Sequence, residues 1–423
     1  MKYNVSIEKE GRLHKIGILE GTDQDDMIFT YDRAYISDPA SAALSVSLPL
    51  EEVGFDPIKT RTFFEGMLPE GFIRHSLADM MHIDEKDYIS MLHNLGRECI
   101  GAIRITTDDE KPEEKYIPVS KQEIGQLAAE GATKSTEIVT KTHLSLAGAS
   151  GKVGLYYDGD FDTWYLPTGT APSTHIVKQS NVRLSGIVTN ERLCMLTAAK
   201  CGIDTAESFI INTGSTAEEE VLYATKRYDR IITDGSRRIG ALPRPDRLHQ
   251  EDFAQALGIA SSKKYEKEED NYLAEMFKIL REYSADPIED QLKLWDRVIF
   301  NYLIGNTDAH IKNYSLLYSP DMRSIRLAPA YDIISTVVYE SSTREMSMKI
   351  GNAVDIDDVT TESFEQAALE IGLGKSLAMK RYYIMRSIFE NALHEAADEL
   401  KNEGFPMAAD LCGKILVRYK VIN

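Results

Sequence analysis

Asp308 and Asn313 stand five positions apart in the stretch Asn306-Thr-Asp-Ala-His-Ile-Lys-Asn313, and a further aspartate, Asp332, follows in Tyr331-Asp332. That spacing suits phosphoryl transfer. An Asp can orient an acceptor hydroxyl and take its proton, while an Asn and a second Asp, both hard oxygen donors, hold a divalent metal against the phosphates. Transfer of a phosphoryl group asks for little covalent chemistry from the protein, so most of the work is positioning and charge stabilisation. Lys312 is placed to neutralise charge developing on the transferred group. His310 is read as ordering the loop beside a nucleotide.

An Asn-Thr-Asp triplet on its own is commonly a turn with side-chain-to-backbone hydrogen bonds. Its surroundings favour chemistry. Upstream, Trp295, Val298, Ile299, Tyr302 and Leu303 recur at helical spacing through 291–303, with Gly305 set to end the helix. Downstream, Ser315-Leu-Leu-Tyr318 has strand composition. Helix, polar loop, short strand and metal-binding Asp is the chain order of a kinase lower lobe.

Such a lobe requires a nucleotide-binding partner upstream, and each of its parts has a candidate. The small-residue run Leu144-Ser-Leu-Ala-Gly-Ala-Ser-Gly-Lys152 precedes the strand-like Val153–Tyr157, so backbone N–H groups of Ala147, Gly148, Ala149, Ser150 and Gly151 could approach phosphate, with Lys152 adding charge. The run matches neither the Walker pattern nor the kinase glycine fingerprint. Ser173–Lys178 reads as a strand that ends on Lys178, a candidate phosphate-binding lysine. Glu191 opens a helical stretch to Lys200, with Thr189 or Asn190 as N-cap, and is placed to orient Lys178. Val221–Arg230 reads as a strand that turns polar at its end, a hinge where backbone groups of Lys226, Arg227 and Tyr228 could pair with an adenine edge.

With these motifs in order the chain resembles the HipA-like serine/threonine kinases, toxins of bacterial toxin–antitoxin modules. The resemblance is carried by 145–152, Pro172–Lys178, Arg227-Tyr-Asp-Arg230, His249-Gln-Glu-Asp252 with Lys264-Tyr265, 305–313 and Pro329-Ala-Tyr-Asp332. It extends upstream to Val46–Leu50, Phe63–Gly71 and Gly101–Arg104, which are similar to that family's N-terminal subdomain. It implies an ATP- and Mg²⁺-dependent protein kinase with Asp308 as general base, Asn313 and Asp332 as metal ligands, and Tyr331 with Lys178 and the 147–152 loop at the nucleotide. It also implies autophosphorylation in the phosphate loop as self-inactivation, at Ser145 or, given the unusual Ser150-Gly-Lys152 ending, at Ser150. The implied partners are a helix-turn-helix antitoxin of the HipB type, DNA reached only through it, and a protein substrate such as an aminoacyl-tRNA synthetase, whose loss arrests growth. A small-molecule kinase and a non-catalytic co-repressor remain as alternatives.

The expected architecture is α+β and bilobal: an N-terminal subdomain over 1–107, a strand-rich upper lobe over 116–245 and an all-helical lower lobe over 246–423. Residues 60–81 and 85–95 are expected as helices, and the charged 108–115 run as a linker. Three amphipathic helices, over 361–373, 375–401 and 406–419, should close the chain. At 423 residues there is ample core, and the net charge of −19 excludes general affinity for nucleic acid. Seven basic residues between Lys226 and Arg247 nevertheless form a local excess, read as a solvated basic loop. Four cysteines without metal spacing suggest reduced structural thiols, and the absence of an apolar leader or membrane-length run points to the cytoplasm.

Overall fold

The structure is a computed structural model and describes residues 1–421 except 97, 108–112, 131–150, 181–183, 212 and 214–219. The chain divides into two compact units, one of 1–179, 224–261 and 316–325, the other of 180–223, 262–315 and 326–423.

The first unit opens with an antiparallel sheet of β1 (Lys2–Lys9), β2 (Arg12–Glu20), β3 (Ile28–Tyr31) and β4 (Ile103–Thr106), in the order β3-β2-β1-β4. Val5 and Ile7 of β1, Ile16 and Leu19 of β2 and Phe29 of β3 are fully buried in a core, and the register of β1 on β2 shifts between Val5 and Ser6. Phe29, Phe63 and Phe64 meet edge to face there, at 5.4 Å and 5.2 Å between ring centroids. The expected helix over 60–81 is two helices, Pro57–Glu65 and Gly71–Met81, because Gly66 and the Pro69-Glu-Gly71 turn interrupt it. Asp56 caps the first by accepting from the Lys59 N–H, and Pro57 sits where no amide donor is needed. Tyr88–Leu95 forms the next helix, capped by Asp87.

A second sheet in this unit contains β5 (Lys115–Val119), β6 (Lys152–Asp158), β7 (Thr163–Thr168) and β8 (His175–Gln179), ordered β5-β7-β6-β8, with Leu222–Lys226 beyond β8. The antiparallel register of β6 and β8 sets Lys152 opposite Lys178.

The second unit is mostly helix: Ile187–Lys200, Tyr272–Tyr283, Pro287–Ile304, Thr361–Glu370, Lys375–Asn402 and Met407–Val421. Trp295 is wholly buried among them, its indole donating to the Ala378 carbonyl at 3.0 Å. The expectation of an all-helical region fails at a hairpin, Glu345–Ile350 with Ala353–Asp355. Met346, Met348 and Ile350 are buried on this hairpin, an alternation of period two that suits strand and not helix.

Candidate active site

Helix Pro287–Ile304 delivers the acidic loop. Asp286 caps its start, and Gly305 ends it in the left-handed conformation at φ 78°. A Cβ at Gly305 would lie 2.2 Å from Val337 Cγ2, so only glycine allows both the turn and the close approach of the Ser335–Val337 segment. The Gly305 carbonyl then accepts from the backbone N–H groups of Thr336 and Val337, at 2.9 Å and 3.2 Å.

Each following residue is tied down in turn. Asn306 returns to the helix, donating from its N–H to the Asn301 carbonyl at 2.8 Å and from Nδ2 to Asn301 Oδ1 at 3.0 Å, while its own Oδ1 accepts the Asp308 N–H at 3.1 Å. Thr307 N–H donates to Thr336 Oγ1 at 2.7 Å. The Asp308 carbonyl accepts from the His310 N–H at 2.8 Å and from Asn313 Nδ2 at 2.9 Å. The Asn313 amide nitrogen is thereby committed inward. Its Oδ1 is the oxygen left to meet a metal, and Asp308 and Asn313, apart in sequence, share one hydrogen bond.

Asp332 joins them through its neighbour. The Tyr331 hydroxyl donates to the Lys312 carbonyl at 2.9 Å and shares a 2.6 Å hydrogen bond with Ser315 Oγ, so the segment entering Asp332 is fastened to the residues on either side of Asn313. Asp332 itself has φ 58°. A non-glycine residue in that region is strained, and such strain concentrates where a side chain must be aimed. Beyond it, the Asn190 amide clamps Ser335: Nδ2 donates to the Ser335 carbonyl at 2.9 Å and Oδ1 accepts the Ser335 N–H at 3.0 Å. Neither Thr189 nor Asn190 is the N-cap that was expected. The helix begins at Ile187 after Gly186, which puts Asn190 in the first turn, where its buried side chain serves this clamp instead.

Asp308, Asn313 and Asp332 are half-exposed, whereas His310 and Lys312 are buried. The Asp308 carboxylate has a partner that sequence reasoning did not place at the site. Tyr265 Oη donates to Asp308 Oδ1 at 3.1 Å, and the Tyr265 ring meets His310 edge to face at 5.6 Å. Forty-three positions separate the two residues, so no local pattern signals the contact.

In the first unit, Lys152 and Lys178 are directly paired across β6 and β8. Directly opposed residues of an antiparallel pair share a face, and like charges there repel, which an anion between them would relieve. Gly151 precedes β6, but Ser145, Ala147, Gly148, Ala149 and Ser150 lie outside the described residues. Of the backbone groups assigned to an adenine edge, the Arg227 N–H is already donated to the Thr174 carbonyl at 2.8 Å. The Tyr228 hydroxyl donates to Gln250 Oε1, and Lys226 ends its strand exposed.

Arg227 also corrects the reading of 226–247 as a solvated basic loop, which holds only for the exposed Lys226, Arg237 and Arg238. Arg227, Arg230, Arg244 and Arg247 are all buried, in one ionic cluster with Glu8, Glu98 and Asp229. Burial opposes ionisation of Glu98, but Arg230, Arg247 and Arg227 outweigh it and hold the carboxyl down at about 2. Glu8 is held at about 2 in the same way, against burial, by Arg244 and Arg247. The cluster fastens Glu8 of β1 and Glu98, before β4, to the residues that follow strand Leu222–Lys226. The acids that neutralise the arginines are remote in sequence, which is why a local count of charge misreads the segment.

Among the described residues no group of three or more acidic, histidine or cysteine side chains could hold a metal, and no helix is long and apolar enough to cross a membrane. One carboxylate and one amide oxygen nevertheless suit Mg²⁺, which keeps several waters and takes its remaining ligands from phosphate. All four cysteines are buried thiols. Burial pushes Cys99 and Cys201 up to about 12, as expected of structural residues.

Comparison with known proteins identifies the family. A family model of the HipA-like C-terminal domain matches residues 144–400, and one of the HipA N-terminal domain matches residues 10–106. The chain is 34% identical over 367 residues to the candidate kinase Y4mE of Sinorhizobium fredii, covering 84% of this chain and 83% of that one. It is 28% identical over 343 residues to the serine/threonine-protein kinase toxin HipA of Shewanella oneidensis, covering 78% and 75% respectively. A solved structure of HipA from that organism, in complex with HipB and its operator DNA, superposes with a TM-score of 0.81 over 98% of this chain and 96% of that one; at 24% identity this shows a shared fold. The C-terminal-domain model covers more than half of the chain, and the chain belongs to the HipA-like family.

Proposed function

We propose that this protein is an ATP- and Mg²⁺-dependent serine/threonine protein kinase and the toxin of a toxin–antitoxin module. One observation carries the reading: the 306–313 loop is folded so that Asn313 turns its amide nitrogen onto the Asp308 carbonyl and keeps its oxygen for a metal beside the residue read as the base. Asp308 accepts the proton of the acceptor serine or threonine. Asn313 and Asp332 would hold Mg²⁺, which would supply neutralisation of the nucleotide's phosphate charge. Lys312 stabilises charge on the group in transit, and Lys152 with Lys178 binds phosphate oxygens. The inward hydrogen bonds of Asn306, Thr307 and Asn190 keep these groups in place before any substrate arrives, so little reorganisation remains.

The relative's complex with HipB and operator DNA supports a helix-turn-helix antitoxin as partner here, with DNA bound through it. Resemblance to the family supports a translation component such as an aminoacyl-tRNA synthetase as protein substrate, and Ser145 or Ser150 as a self-silencing phosphosite. Intact-mass spectrometry after incubation with Mg²⁺ and ATP tests the core of this reading. Wild type should gain phosphate that maps to Ser145 or Ser150, and Asp308→Ala should gain none. No phosphate and no ATP binding by calorimetry would sink the kinase assignment.

A further inference from the structure

Tyr265 sits in a polar connection, half-exposed at 50%, yet its hydroxyl is fixed on the residue assigned as general base. Its position is built by the fold. The next residue, Glu266, donates its N–H to the Ser347 carbonyl at 2.9 Å, and Ser347 donates from both its N–H and its Oγ to the Thr307 carbonyl, each at 2.8 Å. Glu266 also accepts from the N–H groups of Tyr272 and Lys349, at 2.7 Å and 2.6 Å. A continuous run of main-chain bonds thus joins the tyrosine's own segment to the residue preceding Asp308. On the ring side, His310 lies at its edge and Lys264 Nζ is 5.3 Å from the ring centroid.

From this geometry we propose that Tyr265 is a positioning residue for phosphoryl transfer: its phenol donates to Asp308 Oδ1, fixes the plane of the carboxylate, and so aims Oδ2 at the acceptor hydroxyl. A carboxylate on a two-bond side chain rotates readily about its last torsion, and one charge-assisted hydrogen bond from a rigid ring is sufficient to select an orientation. The Lys264 ammonium near the ring strengthens the phenol as a donor.

The proposal rests on Asp308 being the base, and the experiment separates the two ideas. Steady-state ATP hydrolysis by the full-length chain with Mg²⁺ is measured for wild type, Tyr265→Phe and Asp308→Ala. Tyr265→Phe keeps the ring on His310 and beneath Lys264 and removes only the hydroxyl. It should lower kcat about tenfold and leave KM for ATP within about twofold. An unchanged kcat would overturn the proposal, and so would a faster variant, which would make Tyr265 a gate. Asp308→Ala retaining full activity would instead overturn the assignment of the base.

Discussion

Glu98→Gln is the most searching test of how the first unit is held together. Glu98 accepts from Arg227, Arg230 and Arg247 with its side chain 3% exposed. Replacing the carboxylate by an amide removes one of the charges that balance three buried guanidinium groups and points an NH₂ at one of them. Breaking a buried pair by removing one partner costs about 3–5 kcal/mol. The pH dependence gives a second figure. Glu98 titrates at about 2 in the fold against an ordinary value of 4.5, which at about 1.4 kcal/mol per pH unit is about 3 kcal/mol of stability at neutral pH. Because the folded value is depressed, that stability is present above pH 4.5 and is lost as pH falls toward 2. By pH 4 about 1 kcal/mol of it is gone, so the gap between wild type and variant should narrow by that amount between pH 7 and pH 4. The chain has two tryptophans, Trp164 in the first unit and Trp295 in the second. Urea unfolding followed by fluorescence in a Trp295→Phe background therefore reports the unit that contains Glu98. A loss under about 1 kcal/mol at pH 7, or a gap that does not narrow in acid, would refute the view that this carboxylate is what makes the arginine cluster tolerable.

Three further outcomes are expected. Glu251, buried with Ser45 Oγ and Tyr318 Oη donating to it, is pushed by that burial up to about 7; a raised folded value means stability present below pH 4.5 and lost as pH rises through 7. That is about 3 kcal/mol of slope, which Glu251→Gln should flatten in Trp164-monitored unfolding at pH 5 and pH 8. Gly305→Ala must hold a side chain at positive φ while its Cβ collides with Val337, so Trp295-monitored unfolding should show a loss of about 3 kcal/mol. Asn313→Ala removes a metal oxygen and the donor to the Asp308 carbonyl together. The Mg²⁺ concentration needed for half-maximal nucleotide binding by calorimetry should rise at least about tenfold.

Much of the acidic loop was legible in the chain because its spacing is local. The helical recurrence of Trp295, Val298, Ile299, Tyr302 and Leu303, the stop at Gly305, and the Asp308 and Asn313 spacing all lie within twenty residues, and local sterics and hydrogen bonds fix such features. The strands around Lys178 and before Lys226 were legible for the same reason, although the first runs on to Gln179 and the second stops short of the expected Arg230. By contrast, Tyr265 meeting Asp308, Asn190 clamping Ser335, and Lys152 facing Lys178 depend on which elements pack side by side. Charge was the most misleading local signal. Arg227, Arg230, Arg244 and Arg247 read as a solvated stretch until Glu8 and Glu98, more than a hundred positions away, are brought against them. Sequence alone determined which residue types could transfer a phosphoryl group and in what order they occur. Tertiary structure decided which of them are aimed, neutralised or buried, because those outcomes depend on partners that only chain closure brings within hydrogen-bonding distance.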